Sequence, residues 1–172
     1  ITNMAAVSVA SVQFFKEVYG GEVNSSKTDV TLSVGDGKKI SGISCIANYL
    51  QRTLSEFKDV SLEERMEVEQ WLEHRLFIEN LKDVESGFTI LQELNNYLQD
   101  KVYYVGHRLT LADILLYHSL HTLFSNLSFH DKEKFMNVSR WFNNIQQDGR
   151  SRQSLAPLTF VRCPLYSGTS SH

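Results

Sequence analysis

His118 and His121 stand one turn apart within a long apolar run, a spacing from which one helix can offer two nitrogen ligands to a metal ion. A metal site needs at least a third donor, and none stands at a recognisable position. The pair therefore reads as core or interface histidines, and neither a metal nor a cofactor is expected. Thr110 and Asp113 are three residues apart at the start of the same run. A hydroxyl and a carboxylate so placed can do chemistry, but they are also the two halves of a capping box, and capping alone accounts for both. Gly35-Asp36-Gly37 followed by Lys38-Lys39 has the composition of a phosphate loop without the Walker spacing. Between two β-patterned runs it reads as a hairpin turn. Cys45, flanked by Ser44 and Ile46 on a segment with apolar neighbours, is expected to be a buried and inert thiol. Arg150, Arg152 and Arg162 make the tail basic, but no aromatics are interleaved among them, so no direct nucleic-acid contact is expected.

The elements that must hold these residues follow from periodicity. The stretch 106–117, Gly-His-Arg-Leu-Thr-Leu-Ala-Asp-Ile-Leu-Leu-Tyr, opens a helix with a box at Thr110 and Asp113 and a staple between Leu109 and Ile114. Beyond the cap it is apolar almost all the way round, so no single stripe can be its buried face and it must be packed on several sides. It is expected to run to about Asn126. Upstream, 5–19 carries Val9, Val12, Phe15 and Tyr19 at helical spacing and stops at Gly20-Gly21. Residues 30–34 and 38–40 read as two strands, and Ile43, Ile46, Ala47 and Leu50 as one helix face. Residues 54–60 read as a linker. From Ser61, capped with Glu64, the pattern is helical, with Val68, Trp71, Leu72 and Leu76 as a buried stripe. Phe88, Leu91, Leu94 and Leu98 line the next helix, and Asp131 caps a segment carrying Phe135, Val138, Trp141, Phe142 and Ile145 that ends at Gly149. The tail, with Pro157 and Pro164, is irregular and is expected to fold back over the bundle. Two domains result, 4–55 and 61–166.

Composition limits the function classes. The chain has 172 residues, 42% hydrophobic and 22% charged, which is an ordinary globular balance able to bury a core. A net charge of −3 supplies no global field for nucleic acid. Two cysteines far apart, Cys45 and Cys163, argue against a disulfide scaffold and fit a reducing compartment. No apolar run is long enough to cross a bilayer, so no membrane partner is expected.

A mixed α/β segment, a linker and an all-helical part whose central helix opens with Thr110-Leu111-Ala112-Asp113 resembles the glutathione S-transferase fold. Val138-Ser139-Arg140-Trp141-Phe142 resembles the Arg-Trp stretch of a later helix of that family. The resemblance implies a small, truncated thioredoxin-like α/β domain followed by an all-α helical bundle. It also marks departures. Val30 stands where active transferases carry a cis-proline, and Gly42-Ile43 where a Glu or Gln followed by Ser holds the γ-glutamyl end of glutathione. No Tyr, Ser or Cys nucleophile follows a first strand. On these grounds the transferase pocket reads as lost and no enzyme is expected, a reduced-pocket glutathione transferase or peroxidase being the alternative.

Within that fold, the phrases at 109–117, 137–142, Asn96-Tyr97-Leu98, Asp100-Lys101-Val102-Tyr103 and Leu165-Tyr166 resemble the non-catalytic transferase-like subunits of the multi-tRNA-synthetase complex. That resemblance implies a scaffold that pairs with transferase-like domains of methionyl-tRNA synthetase, glutamyl-prolyl-tRNA synthetase and other such proteins of the complex. It also implies a cytoplasmic and nuclear chain linked to DNA-damage signalling. Carried over residue by residue, it makes Arg140 a partner contact, with Asn144 and Gln147 on the same side of the helix. A solvated arginine on an ordinary surface is the other reading of Arg140. The resemblance also implies a second partner surface, on the helix from Ile43 to Leu54 and the linker after it, pairing in the usual transferase dimer mode. There Phe57 is either an anchor or a cover for the domain seam.

Overall fold

The computed structural model describes residues 4–20, 22–25, 30–34, 37–54, 61–81 and 83–160. Helix α1 (Met4–Tyr19) leads into β1 (Val23–Ser25), β2 (Val30–Val34) and β3 (Lys38–Ser41), and then into α2 (Ile43–Thr53). The helical part follows as α3 (Leu62–Glu79), α4 (Val84–Tyr97), α5 (Leu111–Asn126), α6 (Phe129–Lys134), α7 (Met136–Gln147) and α8 (Gly149–Arg152). The strands form one antiparallel sheet in chain order, with Val23 opposite Leu32 and Leu32 opposite Ile40. Period two places Val30 and Leu32 on the buried face, where α2 covers them. Strand β1 is too short to announce itself in sequence. This is the expected fold class, a reduced α/β unit ahead of a helical bundle.

Helix α5 is the post. Every residue from Leu111 to Leu120 is buried, and α1, α3, α7 and α8 all pack on it. Each fully buried leucine there contributes roughly 1.5–3 kcal/mol relative to exposure. Helix α3 opens on the expected box, with the Glu64 amide donating to Ser61 Oγ at 3.1 Å and the Ser61 amide donating to Glu64 Oε2 at 3.0 Å.

Four expectations need correction. Val9 is exposed while Ala10, Ser11 and Phe14 join Val12 and Phe15 in the interior, because α1 is sandwiched between α5 and β1 and needs two buried faces. Leu76 is exposed, and the buried stripe of α3 passes instead through Val68, Leu72 and Arg75. Arg75 is tolerated inside because its Nη1 donates to Glu79 Oε1 at 2.5 Å, and Glu79 also accepts from Ser119 Oγ at 2.9 Å. Asp131 is not a cap. Ser128 caps α6, accepting from the Asp131 amide at 3.2 Å, and α7 starts afresh at Met136. Finally, Cys45 is exposed, since α2 turns Ile46, Ala47 and Leu50 inward and leaves position 45 on the opposite side.

Candidate functional site

Asp113 is completely buried and ties three segments together. Its Oδ1 accepts from the Tyr104 amide at 2.9 Å and from Trp141 Nε1 at 3.0 Å. Its Oδ2 accepts from the Thr110 amide at 3.0 Å and from Thr110 Oγ1 at 2.8 Å. The Thr110 hydroxyl is thus a donor to the carboxylate. Burial pushes the Asp113 carboxyl above the usual carboxylate range, against the opposing pull of these donors. The residue bonds the loop 98–110 and α7 to the first turn of α5, so its role is positional. Tyr104 adds an edge-on ring contact to Trp141, with centroids 4.9 Å apart, and a second contact to Trp71 at 4.5 Å.

Helix α7, oriented in this way, turns Val138, Trp141, Phe142 and Ile145 inward and leaves Arg140, Asn144 and Gln147 exposed at i, i+4 and i+7. Arg140 is not a dangling charge. Its Nη2 donates to the carbonyls of Leu98 and Lys101, both at 2.9 Å, closing the open end of α4. Gln147 Nε2 donates to Asn143 Oδ1 at 3.3 Å. The N-terminus of α7, which has no cap of its own, is capped from α4. Asn95 Oδ1 accepts from the Asn137 and Val138 amides at 2.8 and 3.3 Å. Around this face Lys101 Nζ sits 3.6 Å from the centre of the Tyr97 ring, and Val102 and Met136 are exposed.

The second surface starts at Gly42, whose φ of 90° only glycine adopts readily. Its amide donates to the Val30 carbonyl at 2.8 Å, which brings together the positions that the transferase resemblance relates to glutathione binding. Here a glycine and two aliphatic side chains stand there. Ile43 is half-buried and packs on the core, so it supports α2 more than it projects from it. Phe57, Arg162 and Cys163 lie outside the described residues. Beside α2, an open groove of about 450 Å³ runs against α3, with Ser44 and Asn48 on one wall and Met66, Glu67 and Glu73 on the other. Sequence reasoning missed this α3 wall. The signal for it was the spacing of Leu62 and Met66, one turn apart and off the Val68–Leu72 stripe.

The histidines act separately. Buried His118 donates from Nε2 to the Ser151 carbonyl at 2.7 Å, which leaves Nδ1 to accept from Ser11 Oγ at 3.1 Å. Burial lowers its pKa to about 4, so it is neutral near pH 7. His121 Nε2 donates to the Ala156 carbonyl at 2.8 Å. Both therefore fasten the C-terminal segment to α5. Among the described residues no group of three or more His, Cys, Asp or Glu side chains could hold a metal ion. Among the same residues no helix is long and apolar enough to cross a membrane.

The family model described as "Nuclear-export cofactor Arc1p" matches residues 67–149, the span that contains the Asp113 node and the α7 face. Eukaryotic translation elongation factor 1 epsilon-1 of Mus musculus is 40% identical over 141 residues, 80% of this chain and 81% of that protein. Bifunctional glutamate/proline–tRNA ligase of Cricetulus griseus is 30% identical over 136 residues, 70% of this chain but 9% of the ligase. Among solved structures, a possible glutathione S-transferase from Rhodopseudomonas palustris superposes with a TM-score of 0.65 at 21% identity, covering 94% of this chain and 96% of that one, which shows the shared fold. By the extent and identity of the elongation-factor match, the chain belongs to the family of eukaryotic translation elongation factor 1 epsilon-1.

Proposed function

We propose that this chain is a non-catalytic adaptor of translation that gathers aminoacyl-tRNA synthetases by pairing with transferase-like domains they carry. The observation that carries this reading is the ligase match: a segment resembling most of this chain occupies a small fraction of a much larger synthetase. A domain carried in that way is a ready counterpart for a free-standing copy of the same fold. The absence of charged or amide side chains at Val30, Gly42 and Ile43 supports a binding role over thiolate chemistry, which needs groups to hold and activate glutathione. In this reading the partners are methionyl-tRNA synthetase and glutamyl-prolyl-tRNA synthetase. The α7 face of Arg140, Asn144 and Gln147 takes one domain, and the α2 side takes the other. The chain works in the cytoplasm, and a nuclear fraction uses the same faces in DNA-damage signalling. Residues 4–55 and 61–166 act together as one binding body, because α1 packs on α5 and α8.

Calorimetric titration of the chain with the two synthetase domains and with millimolar glutathione tests the proposal. Saturable heat with a domain and none with glutathione is the expected outcome. Saturable glutathione binding without domain pairing contradicts it. Cell fractionation before and after DNA damage tests the nuclear role, which fails if no chain enters the nucleus.

A further inference from the structure

The chain leaves α8 through Gln153 and runs without helix or strand over residues 155–160, across α5, α6 and α7. The bundle holds this strap largely by its main chain. His121 Nε2 donates to the Ala156 carbonyl at 2.8 Å. The buried Gln146 side chain accepts from the Leu158 amide and donates to the Leu158 carbonyl, both at 2.9 Å. Phe160 then packs against Phe124 and Phe142, with ring centres 6.0 and 5.7 Å apart, and Lys132 Nζ stands 5.4 Å from its own ring centre. A buried amide that reads one residue's main chain twice, beside an aromatic seat two residues on, is a peptide-recognition site filled from within.

The hinge of the strap is strained. Gln153 has φ 55° and ψ −136° and is the only non-glycine with a positive φ among the described residues. Such a backbone persists where its surroundings impose it. Here the neighbours of α1 do so: Gln153 Nε2 donates to Glu17 Oε2 at 2.7 Å and to the Arg150 carbonyl, and Ser154 Oγ donates to Gln13 Oε1 at 2.7 Å. A strap from a second copy would make the same contacts at His121, Gln146 and the aromatic seat, and only the hinge would change. Short hinges under strain favour that exchange.

We propose that two copies of this chain join by exchanging residues 154–160, each strap seated on α5, α6 and α7 of the other copy. The groove already fits this segment, and exchange releases the strain at Gln153. Closure within one chain is favoured by its high effective concentration and by Gln13 and Glu17, so pairing grows with protein concentration and with loss of those two contacts. The proposal goes beyond the adaptor reading and does not rest on it. Arg140 and Asn144 lie across α7 from Gln146, so an exchanged pair presents two α7 faces.

Sedimentation equilibrium of the full chain tests this. Q13A/E17A alters only exposed positions of α1 and frees the hinge, whereas Q153P forbids the closed hinge because proline fixes φ at about −65°. Each should dimerise at least about tenfold more tightly than wild type, and F160A in either background should return dimerisation to the wild-type level or below. If the groove were merely uncovered and adhesive, F160A would instead strengthen association. Q13A/E17A decides the matter should Q153P not fold. A Q13A/E17A chain no more dimeric than wild type, or a dimer that F160A leaves intact or tightens, overturns the proposal. A Q13A/E17A chain that stays monomeric and binds a synthetase domain more tightly than wild type gives the groove to that domain and overturns it likewise.

Discussion

Asp113 shows how one buried side chain can serve a binding surface it never touches. Replacing it with alanine strands the Trp141 indole N–H and the Tyr104 and Thr110 amides in a dry interior, at about 1–3 kcal/mol for each orphaned donor. D113A is therefore expected to lose about 3 kcal/mol or more in urea unfolding, and W141F less, because it removes one donor and leaves the others satisfied. His118 adds a pH dependence. Its folded pKa of about 4 lies below its ordinary 6.5, so the unfolded chain takes up the proton first on acidification. Its contribution to stability is complete above pH 6.5 and falls as pH drops from 6.5 to 4, by about 3 kcal/mol in total. Asp113 has the opposite sign: its raised pKa lets the folded state take up the proton before the unfolded one, so acidification toward the ordinary carboxylate range restores some stability. The difference between wild-type and H118Q unfolding profiles isolates the histidine. The wild type should lose ground on H118Q between pH 6.5 and 4, and parallel profiles would contradict the buried neutral imidazole.

The helices were readable where one sequence pattern dictates them. Thr110 and Asp113 marked the start of α5, Ser61 and Glu64 that of α3, and the alternation through Val30 and Leu32 marked β2. What stayed hidden depends on a residue distant in sequence. Asn95 caps α7 from another helix, and Arg75 is inside only because Glu79 and Ser119 are placed to meet it. No local rule reports such partners, and an arginine on a helix is ordinarily read as exposed. N95A is expected to cost about 1 kcal/mol in thermal or urea unfolding, the usual cost of a lost N-cap, despite its distance in sequence from the helix it caps. Gly106 is a stricter case. Its φ is +59°, and an added Cβ would lie 2.6 Å from Glu64 Oε1. G106A should destabilise by about 1 kcal/mol or more from the backbone alone, and the same substitution made in an E64A background should cost less by the part due to the collision.

At the scale of the molecule, the fold was legible because the bundle is organised about a single all-apolar helix, whereas the surfaces were legible only in part. The resemblance pointed to Arg140, and the structure gives that residue work inside its own chain, closing α4 through the Leu98 and Lys101 carbonyls. R140A should therefore cost about 1 kcal/mol of stability, and a loss of binding larger than about tenfold would report on the partner itself. Lysine in its place keeps the charge without the planar fork, so R140K should restore binding only partly. The groove wall of Met66, Glu67 and Glu73 went unseen because helical glutamates interleaved with apolar residues are ordinarily read as a solvated face.

Helices α3 and α7 pack separately on α5, so the two surfaces can be occupied together. Sedimentation velocity on the chain mixed with the transferase-like domains of both synthetases shows whether they are. The expected result is one three-component species, reduced to one pair by M66D and to the other by R140E. Competition of the two domains for a single site, or no association with either, would contradict the adaptor function.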